Sequence, residues 1–135
     1  MSRPQDVRYM KSHEWARLEG SGPEALVAVG ISDHAIDLFN REIVYVELPP
    51  VGKVVRAGET FGVVESVKAA SDVYAPVSGT IVESNTAMAD DPAALAADPY
   101  AAGWLVRIRP STPEEFETLL SPAAYDEQVA NEAAH

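Results

Sequence analysis

The apolar residues of this chain come in short runs, each bounded by glycine or proline, and that punctuation restricts the fold more than anything else in the sequence. Ala25 to Val29 follows the turn Gly20-Ser21-Gly22-Pro23, and Ile43 to Leu48 is closed by Pro49-Pro50. Thr60 to Val67 forms a third run, and Thr80 to Glu83 follows Pro76-Val77-Ser78-Gly79. In the fifth, Trp104 to Ile108, alternation predicts Trp104, Val106 and Ile108 on one face, with Leu105, Arg107 and Arg109 on the other. Runs of this length and spacing predict an all-β sandwich or barrel core. With 135 residues the chain is of ordinary size for a single domain, and can bury a core without a metal or disulfide.

Helices read as accessories. Ser32 to Phe39 predicts a short helix capped by Ser32 or Asp33, which also explains Ser32-Asp33-His34 better than a catalytic triad of adjacent side chains. Asp91-Pro92-Ala93 has an aspartate cap with proline in the first turn, and Thr112-Pro113-Glu114-Glu115 has the spacing of a capping box. Ser121-Pro122 opens a last helix with Ala124, Tyr125 and Val129 as its apolar positions, and Asn131 to His135 is expected to fray.

Charge and missing residue types exclude whole function classes. Twenty-one acids against ten bases give a net charge of −11, which argues against nucleic acid and anionic membrane surfaces as partners. Cysteine is absent, so thiolate nucleophiles, disulfides and Fe–S ligation are excluded. No run approaches the roughly 18 apolar residues that span a bilayer, and the start carries no signal core, so the chain reads as cytosolic. His13, His34 and His135 are far apart in sequence, and His13-Glu14 lacks a second histidine at zincin spacing, so no metal site is expected. Nucleotide-binding glycine loops and a nucleophile elbow are missing too.

Against that background Lys68 stands out. Only three lysines occur, Lys11, Lys53 and Lys68, and no lysine or arginine lies between Lys68 and Arg107. An apolar strand runs into it, small Ala69 and Ala70 follow, then Ser71-Asp72. Gly58 to Ser66 and Gly79 to Ser84 are also alike, each a turn glycine, an apolar strand and a closing Val-Glu-Ser, flanking the segment that holds Lys68. This placement predicts a lysine at or beside a hairpin tip. A solvated turn lysine and a chemically used one both fit. A Schiff-base role needs a lowered pKa, which Glu65 and Asp72 oppose, so a used Lys68 is better read as one modified from outside.

Glu65-Ser66-Val67-Lys68-Ala69-Ala70-Ser71-Asp72-Val73-Tyr74-Ala75-Pro76-Val77-Ser78-Gly79 closely resembles the lipoylation segment of the H protein family of the glycine cleavage system. Lys11-Ser12-His13-Glu14-Trp15, Val29 to Ala35, Val46-Glu47-Leu48-Pro49, and Asp98-Pro99-Tyr100 with Gly103-Trp104 match the same family in order. The resemblance spans roughly Tyr9 to Tyr125. It implies one domain over residues 1–135: a mainly β, barrel-sandwich hybrid (hammerhead, lipoyl-domain-like) with short accessory helices, C-terminal ones over about 112–132. It further implies lipoate amide-linked to Lys68 and no catalysis by the protein itself.

In such a carrier the cofactor brings the chemistry and the protein places it. The resemblance implies transfer of the aminomethyl group of glycine from a pyridoxal-phosphate glycine decarboxylase to a tetrahydrofolate-dependent aminomethyltransferase. Dihydrolipoyl dehydrogenase reoxidises the arm and a lipoyl-transferring enzyme installs it; the free carrier is a monomer. By the same resemblance Ser12, Glu14, Ala69 and Asp72 dock the arm, and Glu65 and Gly79 mark the hairpin for lipoylation. A lipoyl donor in a relay, or a lipoyl domain of a 2-oxo acid dehydrogenase, is the alternative. Two departures stand out: Phe39-Asn40-Arg41-Glu42 is about one residue longer than usual, near the expected cleft, and Ala101 follows Tyr100 where glycine is more usual.

Overall fold

Val27, Val29 and Ile31 recur at every second position, and in the computed structural model, which describes residues 4–133, all three face one core. They belong to β3 (Leu26–Ile31), in a six-stranded antiparallel sheet with β1 (Arg8–Tyr9), β2 (Glu14–Glu19), β5 (Val54–Val55), β8 (Gly79–Ser84) and β9 (Val106–Pro110). Its strand order is β1-β2-β3-β9-β8-β5. A three-stranded antiparallel sheet of β4 (Ile43–Glu47), β6 (Thr60–Ser66) and β7 (Ala70–Tyr74), in the order β4-β6-β7, completes the framework. Val46, Val64 and Val73 from the small sheet join Val29, Ile81 and Ile108 from the large one in a single core. The mainly β expectation holds, and two antiparallel sheets that do not close into a barrel fit a barrel-sandwich hybrid.

Both faces of β3 are covered. Behind the main core, Ala28 packs with Val7, Tyr9, Trp15 and Tyr125 in a second cluster. Gly30 is opposite Trp15 in the register, and a Cβ there would lie 2.6 Å from the indole ring. Only glycine lets the ring lie flat on the strand, where Trp15 Nε1 donates to the Pro99 carbonyl at 2.9 Å. The last helix, α4 (Pro122–Ala133), docks here: Tyr125 stacks on Tyr9 with centroids 4.0 Å apart.

Short helices fill the connections: α1 (Asp33–Leu38), α2 (Thr86–Asp90) and α3 (Ala93–Ala97). Ser32 caps α1 as expected, its Oγ accepting from Ala35 N at 3.1 Å. The other helix starts differ from the sequence reading. Asp91 makes no side-chain cap, Pro92 occupies the cap position of α3, and α2 precedes it unannounced. Thr112 and Glu115 form no capping box: Pro113–Thr118 is a 3-10 helix without a side-chain cap. Ser121 does cap α4, accepting from Ala124 N at 3.1 Å. Of that helix's predicted apolar positions Tyr125 is buried and Val129 half-buried, but Ala124 is exposed. Asn131 and Glu132 are helical where fraying was expected; His135 lies outside the described residues.

One strand expectation is also corrected. Leu105 is fully buried in the main core, whereas half-buried Trp104 lies beneath Arg107, whose guanidinium carbon is 4.0 Å from its ring centroid. The alternation fails because the regular strand begins only at Val106, one residue after Leu105. β2 contains no β-branched residue and Trp15 is its only strand-favouring side chain, so its strand signal is weak. The like segments at Gly58 to Ser66 and Gly79 to Ser84 become β6 and β8 in opposite sheets, with β7 between them in the chain.

Candidate functional site

β6 and β7 form a hairpin whose last strand pair is Glu65 with Ala70. Four residues close it. Ser66 N donates to the Ala69 carbonyl at 2.7 Å, and Ala69 N donates back to Ser66 Oγ at 3.1 Å. Val67 and Lys68 are left at the apex, both exposed, Val67 by 69%. The Lys68 ammonium has no hydrogen-bond or ion-pair partner among the described residues. Ala69 is exposed beside it; Asp72 is exposed on β7, opposite Val63. Glu65 is half-buried on β6 between Ala70 and Tyr45. The Tyr45 phenol is pushed up by the neighbouring Glu47 charge and, more weakly, by that of Glu65. The hairpin tip thus presents an exposed amine, with Glu65 and Asp72 on the strands below it.

The turn before β2 carries the other residues named from sequence. Met10 N donates to the Glu14 carbonyl at 2.9 Å, and His13 N to the Met10 carbonyl at 3.0 Å. His13 closes the turn with φ of 84°, a left-handed conformation that costs a non-glycine residue stability. Ser32 N anchors it on the His13 carbonyl at 2.9 Å. Glu14 is then turned inward with only 2% exposure. Its carboxylate is hydrogen-bonded to Ser12 Oγ and accepts from Tyr74 N at 2.8 Å. Burial pushes the Glu14 carboxyl up, while the Ser12 and Tyr74 hydrogen bonds pull it back down.

One contact therefore joins the two sheets. Glu14 from the large sheet holds the base of β7 in the small one, and Asp72 lies two residues further toward the tip. The strand rises about 13 Å from Tyr74 to Ala70. Ser12 and Glu14 are brought together at its base and Ala69 and Lys68 at its tip, with Asp72 between. Glu14 has no cationic partner among the described residues, so its buried carboxylate is balanced by the Ser12 hydroxyl and the backbone amides of Tyr74 and Glu14 itself. Such a site favours an incoming ammonium.

Sequence reasoning missed Tyr74, which acts through its backbone and so leaves no residue-type signal. It missed the use of Glu115 as well. That carboxylate accepts from Ser78 N at 2.7 Å and from Ser78 Oγ at 3.0 Å, and Ser78 Oγ accepts from Ala57 N at 2.9 Å. The turn between β7 and β8 is thus clamped from the C-terminal segment. Next to it, Gly79 is buried and paired with both Val55 and Pro110. A Cβ there would meet the Arg109 carbonyl oxygen at 2.1 Å, so glycine is required by strand packing.

Both departures are held by local contacts. In the long connection Asn40 and Arg41 take left-handed φ of 55° and 59°, and Arg41 reaches Asp37 at 3.0 Å and the Ala96 carbonyl at 3.0 Å. The loop is fastened to α1 and α3. After Tyr100, Asp98 accepts from Ala101 N at 3.3 Å and Ala102 N at 3.2 Å, and Ala101 needs no left-handed backbone.

Comparison with known proteins gives one consistent result. The family model described as glycine cleavage H-protein matches residues 7–132. A glycine cleavage system H protein of Stenotrophomonas maltophilia is 54% identical over 129 residues, covering 96% of this chain and 95% of that protein. One of a Cyanothece species is 49% identical over 126 residues, covering 93% and 94%. The crystal structure of a glycine cleavage system H protein from Mycobacterium marinum superposes with a TM-score of 0.85 at 43% identity, covering 95% of this chain and 99% of that one.

Proposed function

The chain belongs to the glycine cleavage H-protein family, and from that premise we propose that Lys68 is its lipoyl attachment site. The protein is a non-catalytic lipoyl carrier of the glycine cleavage system, moving the aminomethyl group of glycine between its enzymes. Among the described residues no helix is long and apolar enough to cross a membrane. Residues 1–135 act as one carrier domain with the helices after residue 112 as accessories.

The single observation that carries the assignment is the exposed Lys68 amine at the apex of the β6–β7 hairpin, with no partner among the described residues to hold it down. An amide-forming enzyme needs such access, and Ala69 and Ala70 leave the amine uncrowded. Acylation removes the charge of Lys68 and lets an apolar arm lie against the protein. Bound lipoate supplies the disulfide–dithiol chemistry that takes up and gives up the aminomethyl group. The remaining roles are positional. Glu14 and Asp72 offer carboxylates to a primary ammonium, Ser12 orients the Glu14 carboxylate, and Ala69 keeps the path from tip to cleft open. Burial of Glu14 favours a cationic guest and excludes water from it.

Partners follow from the same reading: a glycine decarboxylase, an aminomethyltransferase, dihydrolipoyl dehydrogenase and a lipoyl-transferring enzyme. Glu65 and the turn held by Gly79 present the hairpin to the last of these. The test is intact mass and peptide mapping of protein from lipoate-supplied cells. One lipoyl addition at Lys68, absent from Lys68→Ala, is the expected result. An unmodified Lys68 beside an active lipoylation system overturns the assignment.

A further inference from the structure

Separate from the hairpin, three residues distant in sequence converge where the turn before β2, α1 and α4 meet. His34 Nε2 lies 3.2 Å from Glu132 Oε1, and His13 Nε2 lies 3.4 Å from the same oxygen. The two imidazole centroids are 4.9 Å apart, and one ligand atom from each of the three residues lies within 4.8 Å of the others. The wide separation of His13 and His34 in the chain does not carry over into space.

Zinc bound by nitrogen and oxygen at 2.0–2.1 Å in a tetrahedron holds its ligand atoms about 3.3 Å apart. Both distances to Glu132 already have that length. The third edge, between the two half-buried imidazoles, is no longer than 4.8 Å. The outer hydrogen bonds suit a ligand as well. His13 Nδ1 is 2.8 Å from Tyr125 Oη, which is 2.6 Å from Ser32 Oγ. With the proton on Nδ1 donated to Tyr125, Nε2 presents its lone pair toward Glu132 and His34. Tyr125 is stacked on Tyr9 and fully buried, so the ring is held in place from behind. His13 keeps its left-handed backbone at a cost, at a position where glycine would carry none.

We infer that His13, His34 and Glu132 form a site for one divalent transition-metal ion of the zinc class, with a fourth position left to water. Two neutral imidazoles and one carboxylate suit a borderline cation over magnesium or calcium, which prefer oxygen ligands. The net charge of −11 draws cations to the surface. Because the ligands come from three segments, the ion fastens α4 to the turn that carries Ser12 and Glu14. The site is independent of the carrier reading, since neither Lys68 nor the Glu14 carboxylate takes part in it.

The test is calorimetric titration of chelator-stripped, full-length protein with zinc chloride, with magnesium chloride as control. The expected result is one zinc ion per chain, no magnesium heat, and a melting temperature that rises with zinc. His34→Gln and Glu132→Gln should each weaken zinc binding at least tenfold. Their metal-free melting temperatures should stay within a few degrees of the parent, because the contacts with Glu132 that they alter are partly exposed. Cobalt should give the strong visible absorption of a four-coordinate site in the parent and lose it in both variants. His135→Asn, which removes the histidine outside the described residues, should change nothing. Zinc binding that survives the His34→Gln/Glu132→Gln double substitution, or that disappears with His135→Asn, overturns the inference, as does a parent protein that binds no zinc.

Discussion

Replacing Gly79 by alanine separates two roles that one glycine can hold, a mark read by the lipoyl-transferring enzyme and a packing requirement of the fold. A methyl at this position points at backbone: the Arg109 carbonyl oxygen would be 2.1 Å away, its carbon 2.9 Å, and the Ile108 Cγ2 methyl 2.8 Å. β8 lies between β5 and β9 here, so relief requires moving one strand away from two partners. Overpacking that a side-chain rotation cannot relieve falls at the top of the usual range, about 3 kcal/mol. For a domain of this length each kilocalorie lowers the melting temperature by about 3 °C, so Gly79→Ala should melt about 10 °C lower. The assay pairs calorimetry of the variant with its lipoylation rate at 15 °C, well below its midpoint. A packing role predicts the lower midpoint with near-normal lipoylation of the folded protein. An unchanged midpoint with lipoylation abolished would refute the packing argument and leave Gly79 as a recognition element.

Three further outcomes follow from other contacts. Lys68→Ala should abolish lipoylation while leaving stability within about 0.5 kcal/mol, because the side chain is exposed and has no partner among the described residues; chemical denaturation measures this. Glu115→Ala removes the acceptor for two Ser78 bonds and should cost about 2 kcal/mol in urea unfolding, with Glu115→Gln recovering part of it. Glu14 should make stability fall with rising pH. Its folded pKa is raised from an ordinary value near 4.5, so the folded state holds a proton that the unfolded state has released, and stability drops from that value up through the raised one. Glu14→Gln should remove that slope from unfolding curves taken across the window and also loosen docking of the loaded arm.

Local patterns were readable because they depend on nearest neighbours. Proline fixes φ and glycine reaches the positive φ that other residues avoid, wherever they stand, so the turns that bound β3, β4 and β8 could be placed from residue types. Ser32 was a recognisable cap for the same reason. Glu115 shows where this stops. Its spacing from Thr112 satisfies a capping box, yet the carboxylate spends its bonds on Ser78 in another part of the fold. β2, with no β-branched residue, is a strand because β1 and β3 pair with it on both sides.

The sequence by itself determined the class of fold, the prominence of Lys68 and the residue types around it, since alternation, turn chemistry and motif order are properties of neighbours along the chain. Only the tertiary structure decided that Glu14 is buried against the backbone of Tyr74, that Gly79 has no room for a methyl, and that His13, His34 and Glu132 meet. Each of those depends on segments brought together by burial of a shared core, whose gain in free energy is set by surface removed from water and not by separation along the chain.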